Sequence, residues 1–271
     1  MLILQITDTH IKLPGKLAYK RVDTAAMLRA CVAEVQRLNP RPDVIALTGD
    51  LVDLGQPEEY AHLKEILAPL KAPIYAIPGN HDERDAMREA FRAEGYMPAQ
   101  GFLNYAVDDW PLRLIGLDTI IPMQGAGELD DERLAWLDKS LALKPSVPTV
   151  VMMHHPPFPT AIAHMDKIGL KGRDRFATIM ARHPQVQAIL CGHLHRTIQA
   201  VVGGRRATTC PSPAHQVALD LSEEGPSAFR MEPPGYMLHL WRDGTLVSHT
   251  AVLGDHPGPF PFHDPTGALI D

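Results

Sequence analysis

Five short polar clusters carry the groups in this chain that can do chemistry: Asp8-Thr9-His10, Gly49-Asp50, Gly79-Asn80-His81-Asp82, His154-His155 and Gly192-His193-Leu194-His195. Asp, Asn and His offer oxygen and imidazole nitrogen, a donor set suited to zinc, iron, manganese or cobalt rather than to a thiolate-preferring metal. Two cations held ~3.5–4 Å apart need an anionic ligand shared between them. Asp50, directly after a glycine turn, is the candidate for that bridge. Asp8, His10 and His195 then complete one metal site, and Asn80, His154 and His193 complete the other. In Asp8-Thr9-His10 and His193-Leu194-His195 two donors are separated by one residue, which in extended chain turns both to one side. Gly49, Gly79 and Gly192 each precede a candidate ligand, where a sharp turn or a close backbone approach is needed.

Taken singly these clusters are weak, since Gly-Asp is an ordinary turn and paired histidines an ordinary polar loop. Their weight comes from what precedes them. Leu2-Ile3-Leu4-Gln5-Ile6, Val44-Ile45-Ala46-Leu47, Ile74-Tyr75-Ala76-Ile77, Val150-Val151-Met152-Met153 and Ala188-Ile189-Leu190 are short apolar runs of the kind that form doubly covered strands. A parallel sheet brings the carboxyl ends of its strands to one edge, so groups scattered along the chain meet there. Helical spacing recurs between the strands. Met27, Leu28, Cys31, Val32, Val35 and Leu38 share a face, with Asp23 or Thr24 placed to cap it. Pro57 suits a first helical position ahead of Tyr60, Leu63, Leu67 and Leu70, and Asp130 and Asp131 precede Leu134, Leu137 and Leu141. Strand and helix alternate, which predicts an α/β sheet with helices on its faces.

Length and composition narrow the partners. The 271 residues suffice for one large domain or two small ones, and the first 195 contain no evident linker. The net charge of −6 and the lack of a basic run argue against a nucleic-acid polymer. No apolar stretch approaches the ~20 residues of a membrane span, so no membrane partner is expected. The chain has no basic, apolar leader, and Cys31, Cys191 and Cys210 lack zinc-type spacing, which together predict reduced thiols in a cytoplasmic protein.

Two cations gathered by these clusters would acidify a bound water and make it a nucleophile near neutral pH. His81, next to the ligand Asn80 but not itself a ligand, is placed to contact a bound substrate or protonate a leaving group. Asp82 is expected to hold the His81 imidazole in one tautomer. Asp53 and His155 are read as supporting groups. His62, His164, His183, His239, His249, His256 and His263 lie outside the motifs and are assigned to surface or structural positions.

The order Asp-x-His, Gly-Asp, Gly-Asn-His-Asp, His and Gly-His-x-His resembles the calcineurin-like metallophosphoesterase superfamily. Tyr19, Arg41-Pro42-Asp43, Pro57-Glu58-Glu59-Tyr60, Ile77-Pro78-Gly79-Asn80-His81-Asp82, His154-His155-Pro156-Pro157 and His215-Gln216-Val217 add a similarity to its bacterial glycerophosphodiesterase branch. The class III cyclic-nucleotide phosphodiesterases carry the same metal motifs. The resemblance spans roughly residues 1 to 260 and implies a four-layered α/β/β/α sandwich with two divalent or trivalent ions (Fe, Zn, Mn or Co) per subunit. It implies a phosphodiesterase acting on small phosphodiesters such as glycerophosphodiesters, with side activity on phosphomonoesters or phosphonate monoesters; the alternative is a 3',5'-cyclic-nucleotide phosphodiesterase. It also implies that Tyr19 and His215 touch substrate. A noncatalytic scaffold with this fold would be expected to lack some of Asp50, Asn80 and His81, all of which are here.

Two hairpins are expected late in the chain: Thr197 to Val202 turning at Gly203-Gly204 into Arg206 to Cys210, and Tyr236 to Trp241 turning at Asp243-Gly244 into Thr245 to Leu253, the latter in the second sheet. The resemblance implies a core over residues 1–253, with the hairpin at about 196–214 and the Pro-rich tail 254–271 forming a small cap that pairs with another subunit. A homo-oligomer follows. The stretch from Asp220 to Gly235 departs from the family pattern and leaves the roof of the cavity unassigned.

Overall fold

The structure is a computed structural model and describes residues 1–270. The first part of the chain alternates β1 (Leu2–Ile6), α1 (Thr24–Val35), β2 (Val44–Thr48), α2 (Pro57–Leu67), β3 (Ile74–Ile77) and α3 (Arg84–Ala90). The middle runs β4 (Tyr105–Val107), β5 (Arg113–Leu117), β6 (Gly127–Glu128), α4 (Asp131–Ala142), β7 (Thr149–Met153), α5 (Ala163–Asp166), β8 (Leu170–Lys171), α6 (Arg173–Arg182) and β9 (Val186–Cys191). Strands alone follow: β10 (Gln199–Val202), β11 (Arg205–Thr209), β12 (Gln216–Val217), β13 (Phe229–Arg230), β14 (Gly235–Arg242) and β15 (Thr245–Val252). None of the described helices is long and apolar enough to cross a membrane.

The expected helices form for the expected reasons. Asp23 accepts the Ala26 N–H and Asp130 the Arg133 N–H, each satisfying a donor that the first turn leaves free. Pro57 opens α2, and Gln56 and Glu59 close a capping box around it. Their buried faces then dictate the layers.

Two sheets result, with orders β15-β14-β1-β2-β3 and β10-β11-β9-β7-β5-β4. Leu4, Ile6, Ile45 and Leu47 on the outer face of the first sheet pack with Leu28, Val32, Leu63 and Met87 of α1, α2 and α3. Val151, Ile189 and Ile115 on the outer face of the second pack with Leu134, Leu137 and Phe176 of α4 and α6. The inner faces meet through Ile3, Ala46 and Ile77 on one side and Leu114, Val150, Met152 and Leu190 on the other. This is a four-layered α/β/β/α sandwich, with alternate residues of each strand serving alternate cores.

The five motif-bearing strands therefore do not share one sheet. β1, β2 and β3 lie parallel in the first, β7 and β9 parallel in the second, and the carboxyl ends of both sets face the same rim. The expected placement of the Tyr236–Leu253 hairpin in the second sheet is overturned: β14 pairs antiparallel with β1, Leu2 opposite Leu240 and Gln5 opposite Met237. β1 has β2 on one side only, and β14 covers its other edge. The β10–β11 hairpin extends the second sheet, with Ala207 opposite Ile189 in parallel register. The rim is instead overhung by β12–β13, which joins Gln216 to Arg230 and Val217 to Phe229.

Leu190 is fully buried between the sheets. Leu190→Ala is expected to lower unfolding free energy by about 2–5 kcal/mol in chemical denaturation, because stiff strands on both sides keep the cavity open; a loss under about 1 kcal/mol would contradict this packing.

Candidate metal centre

Every expected ligand reaches the common rim. His10 Nε2 stands 3.2 Å from His195 Nε2 and 3.7 Å from Asp50 Oδ2. His195 Nε2 is 3.5 Å from Asp8 Oδ1, and His154 Nε2 is 3.4 Å from Asp50 Oδ2. The His154 and His193 rings are 5.1 Å apart. Donors at ~2.0–2.1 Å around a tetrahedral zinc-sized cation stand roughly 3.3 Å from one another, so these separations are those of a ligand shell. Asp8, Asp50, His10, His154, His193 and His195 are all buried, and Asn80 is half-buried.

The backbone gives this geometry by conformations that a strand would not supply. Asp8, His10, Asp50, His193 and His195 all adopt positive φ, at 52°, 42°, 49°, 72° and 53°. The Asp-x-His and His-x-His pairs thus converge through left-handed turns and not through extended alternation. Such conformations are unfavourable for residues with a Cβ and persist where surrounding contacts hold them. Here Asp8 N–H donates to the Gly49 carbonyl, His10 N–H to the Asp50 carbonyl and Gly192 N–H to the His154 carbonyl. The crowding explains the glycines. A Cβ on Gly49 would overlap the His154 ring, one on Gly79 the Asp50 backbone, and one on Gly192 the Thr7 hydroxyl.

Hydrogen bonds fix the tautomers toward the centre of the cluster. His154 Nδ1 is 2.9 Å from the Thr48 carbonyl and His195 Nδ1 2.9 Å from the His215 carbonyl. A carbonyl only accepts, so each Nδ1 carries a proton and each Nε2 is the nitrogen that faces inward. Asp50 Oδ1 receives the His81 N–H at 2.8 Å, leaving Oδ2 between His10 and His154. His154 Nε2, His193 Nε2 and Asn80 Oδ1 are buried without a hydrogen-bond partner. Seven other buried side-chain atoms among the described residues are unpartnered too, including His10 Nδ1 and His215 Nδ1, so the weight lies in these three belonging to one expected ligand set. These three are the donors expected of one metal site.

Electrostatics point the same way. Burial pushes the Asp8 carboxyl up to about 6, and the Asp50 charge adds to the effect. Burial acts against Asp50 as well, but His154, His81 and His10 hold its carboxyl well below the usual range. Burial likewise opposes the charged form of His154, yet Asp50 raises it to about 9. Burial, with His154 beside it, takes His193 down to about 3. The two buried carboxylates are thus only partly offset by the imidazoles around them, and divalent cations would supply the missing positive charge.

The neighbouring residues divide differently from expectation. Asp82 does not orient His81: its carboxylate accepts from Tyr60 Oη at 2.8 Å, Gly79 N at 2.9 Å and Leu51 N at 3.1 Å, which ties the β2 and β3 turns together. Val52 N, 3.4 Å from Asp82 Oδ1, is a fourth donor, so the carboxylate is occupied without the imidazole. His81 Nδ1 instead meets the Asp53 carbonyl at 2.8 Å. Asp53 has a larger part than its spacing suggested, with Oδ1 3.4 Å from His10 Nδ1 and Oδ2 paired to Lys12 Nζ. Burial opposes its charge, but His10 and Lys12 hold it well below the ordinary carboxylate range. His155 is supporting, as expected. Its Nδ1 meets Thr119 Oγ1 at 2.8 Å and its Nε2 the Gly125 carbonyl at 3.1 Å, so neither nitrogen is free for a metal.

Above the cluster lies a cavity of about 340 Å³ whose wall includes Tyr19, Asn80, His81, His164, His215 and Phe229. Tyr19 and His215 are in edge contact, ring centroids 5.2 Å apart, and Phe229 packs on both, tilted against Tyr19 and edge-on to His215. Phe229 and His164 were not read from the sequence as site residues. Phe229 lies in the Asp220–Gly235 stretch that carries no motif, and His164 on the short α5. No local signal marks either, because β12–β13 pairing and the packing of Met165 on Val217 and Leu194 bring them in.

The sequence matches the calcineurin-like phosphoesterase family over residues 1–197. It is 40% identical over 273 residues to a "Probable glycerophosphodiester phosphodiesterase" of Arcobacter nitrofigilis, with 100% of each chain covered. To the 3',5'-cyclic adenosine monophosphate phosphodiesterase of Escherichia coli K12 it is 32% identical over 256 residues, covering 93% of this chain and 90% of the relative. Among solved structures, a dimetal phosphatase from Danio rerio superposes with a TM-score of 0.67 at 14% identity, covering 93% of this chain and 98% of that one. That last likeness concerns the fold.

Gly49→Ala places a methyl group against His154 at a φ of +91° that alanine resists. The variant is expected to hold metal at least about tenfold more weakly than wild type by chelator competition, as displaced ligand supports do elsewhere; unchanged affinity would show that the crowding does not govern ligand placement.

Proposed function

The chain belongs to the calcineurin-like phosphoesterase family, and on that premise we propose that it is a two-metal phosphodiesterase whose substrates are small phosphodiesters of the glycerophosphodiester class. The observation that carries this reading is the set of buried, unpartnered donors His154 Nε2, His193 Nε2 and Asn80 Oδ1, facing a carboxylate flanked by imidazoles. In the proposal Asp8, His10 and His195 hold one ion, Asn80, His154 and His193 the other, and Asp50 bridges. Glycerophosphodiesters rank ahead of cyclic nucleotides because the glycerophosphodiesterase relative is the more similar and spans the whole chain. The second reading, a 3',5'-cyclic-nucleotide phosphodiesterase, is favoured by the 32% identity to the Escherichia coli enzyme.

Bound divalent cations would supply Lewis acidity to the phosphoryl oxygens and lower the pKa of water near neutral pH. The chain supplies the rest. Asp50 presents Oδ2 to both halves of the site because the His81 N–H occupies Oδ1. The Asp53 carbonyl fixes the His81 proton on Nδ1 and leaves Nε2 to face the cavity, where it touches the phosphoryl group or, as imidazolium, protonates the departing alkoxide. Asp53 and Lys12 steady His10 through its Nδ1. Tyr19, His215 and Phe229 form the wall against which one alcohol arm rests. We include in the proposal a homo-oligomer, supported by the open β15 edge and the exposed Phe260 and Phe262, and a reducing cytoplasmic setting, supported by three free, buried cysteines.

Chelator-treated protein is expected to lose hydrolysis of a chromogenic phosphodiester and to regain it with manganese, cobalt or zinc. Asp50→Ala should lose bound metal. His81→Ala should keep two ions by elemental analysis while kcat falls by about 10²–10⁴; wild-type turnover in either variant would contradict the assigned roles.

With metal content held equal, kcat/KM for glycerophosphoethanolamine is expected to exceed that for cyclic AMP. The reverse order would replace the first reading with the second.

A further inference from the structure

Two polar side chains stand between the sheets in a layer that is mostly apolar. Gln5 projects from β1 and His239 from β14, both with 0% exposure. Burying an amide and an imidazole is unfavourable unless each donor and acceptor is met. Here each is. Gln5 Nε2 donates to Thr48 Oγ1 at 2.9 Å and to the Cys191 carbonyl at 3.0 Å, and Gln5 Oε1 lies 3.0 Å from His239 Nε2. An amide oxygen only accepts, so the imidazole proton is on Nε2, and Nδ1 accepts the Ser248 hydroxyl at 2.8 Å. Burial takes His239 down to about 3, which keeps it neutral with the single proton this arrangement requires. The bonds therefore run in one direction only. A flipped Gln5 amide would set N–H against N–H at His239 and oxygen against oxygen at Cys191.

The two anchor points lie where the site begins. Thr48 ends β2 and directly precedes Gly49-Asp50; Cys191 ends β9 and directly precedes Gly192-His193. The Thr48 carbonyl also meets His154 Nδ1, so Thr48 touches the supports of two proposed ligands. β2 and β9 belong to different sheets and share no backbone ladder. One buried amide spans that gap.

We infer that Gln5, oriented by His239 and Ser248, is a positioning residue that sets the distance between the Asp50 turn and the His193 turn, and with it the spacing of the two metal sites. The inference rests on the proposed binding of two ions by those turns. His239, assigned from sequence to an ordinary structural place, acts here only through Gln5.

Calorimetric titration of the metal-stripped, full-length protein with Mn(II) tests it. Wild type taking up two ions supports the underlying reading, and uptake of fewer overturns both that reading and this one. Given two ions in wild type, Gln5→Met, which keeps the volume and removes the ties, is expected to weaken one of them by about 10–100-fold. Ser248→Ala, at a half-buried position, is expected to weaken it several-fold, with little further loss when combined with Gln5→Met. Val150→Ala, in the same layer but away from the chain of bonds, is the control for general loosening: its melting temperature should fall and its Mn(II) affinity should hold. The electron paramagnetic resonance spectrum of the dimanganese form should also change in Gln5→Met and not in Val150→Ala. Wild-type affinity in Gln5→Met, or an equal loss in Val150→Ala, would overturn the positioning role while leaving the two-metal reading intact. If Gln5→Met does not fold, Ser248→Ala decides, and unchanged affinity there counts against the inference.

Discussion

The structure depends on holding Asp8 and Asp50 together with four imidazoles, all buried, at the floor of a cavity. Carboxylates this close repel, and burial raises the energy of each charge. Among the side chains themselves, the nearest compensation is a proton retained by His154 against Asp50. That compensation is incomplete, since His193 and His195 are driven to the neutral form and buried donors remain without partners. A ligand set of this kind is stable as a cation site and costly as anything else.

The sandwich makes such crowding possible because its strands are stiff and its layers thick. Two sheets bring the ends of β1, β2, β3, β7 and β9 to one rim, and each delivers a turn whose side chains cannot retreat into solvent. Left-handed residues at the turns store strain that hydrogen bonds between neighbouring turns hold in place. Asp82 clamps the β2 and β3 turns within the first sheet, whereas Gln5 reaches from the first sheet to the second. The same rigidity leaves the chemistry to a few groups at the surface of the cluster, His81 above all. Asp53 then links a proposed ligand, His10, to that group.

Much of this was legible in the sequence, and the reasons differ by level. The helices could be read because Asp23, Pro57 and Asp130 mark their starts and their apolar residues recur at helical spacing. The ligand positions could be read because each follows an apolar strand and three follow glycines. The sheet of the last hairpin could not: β14 is compatible with either sheet by pattern, and only the free edge of β1 decides. The partner of Asp82 was equally hidden, since adjacency to His81 says nothing about which way a side chain leaves a tight turn. Gln5 and His239 are separated by 234 residues in the chain, and nothing local distinguishes a buried histidine at a sheet interface from an exposed one.

The central claim is that two cations share the Asp50 carboxylate at this rim, and anomalous diffraction from manganese-loaded crystals tests it most directly. The account predicts two anomalous peaks per subunit, ~3.5–4 Å apart, with Asp50 between them. One side should hold Asp8, His10 and His195, and the other Asn80, His154 and His193. A single peak, or two peaks with Asp50 turned away from both, would contradict it.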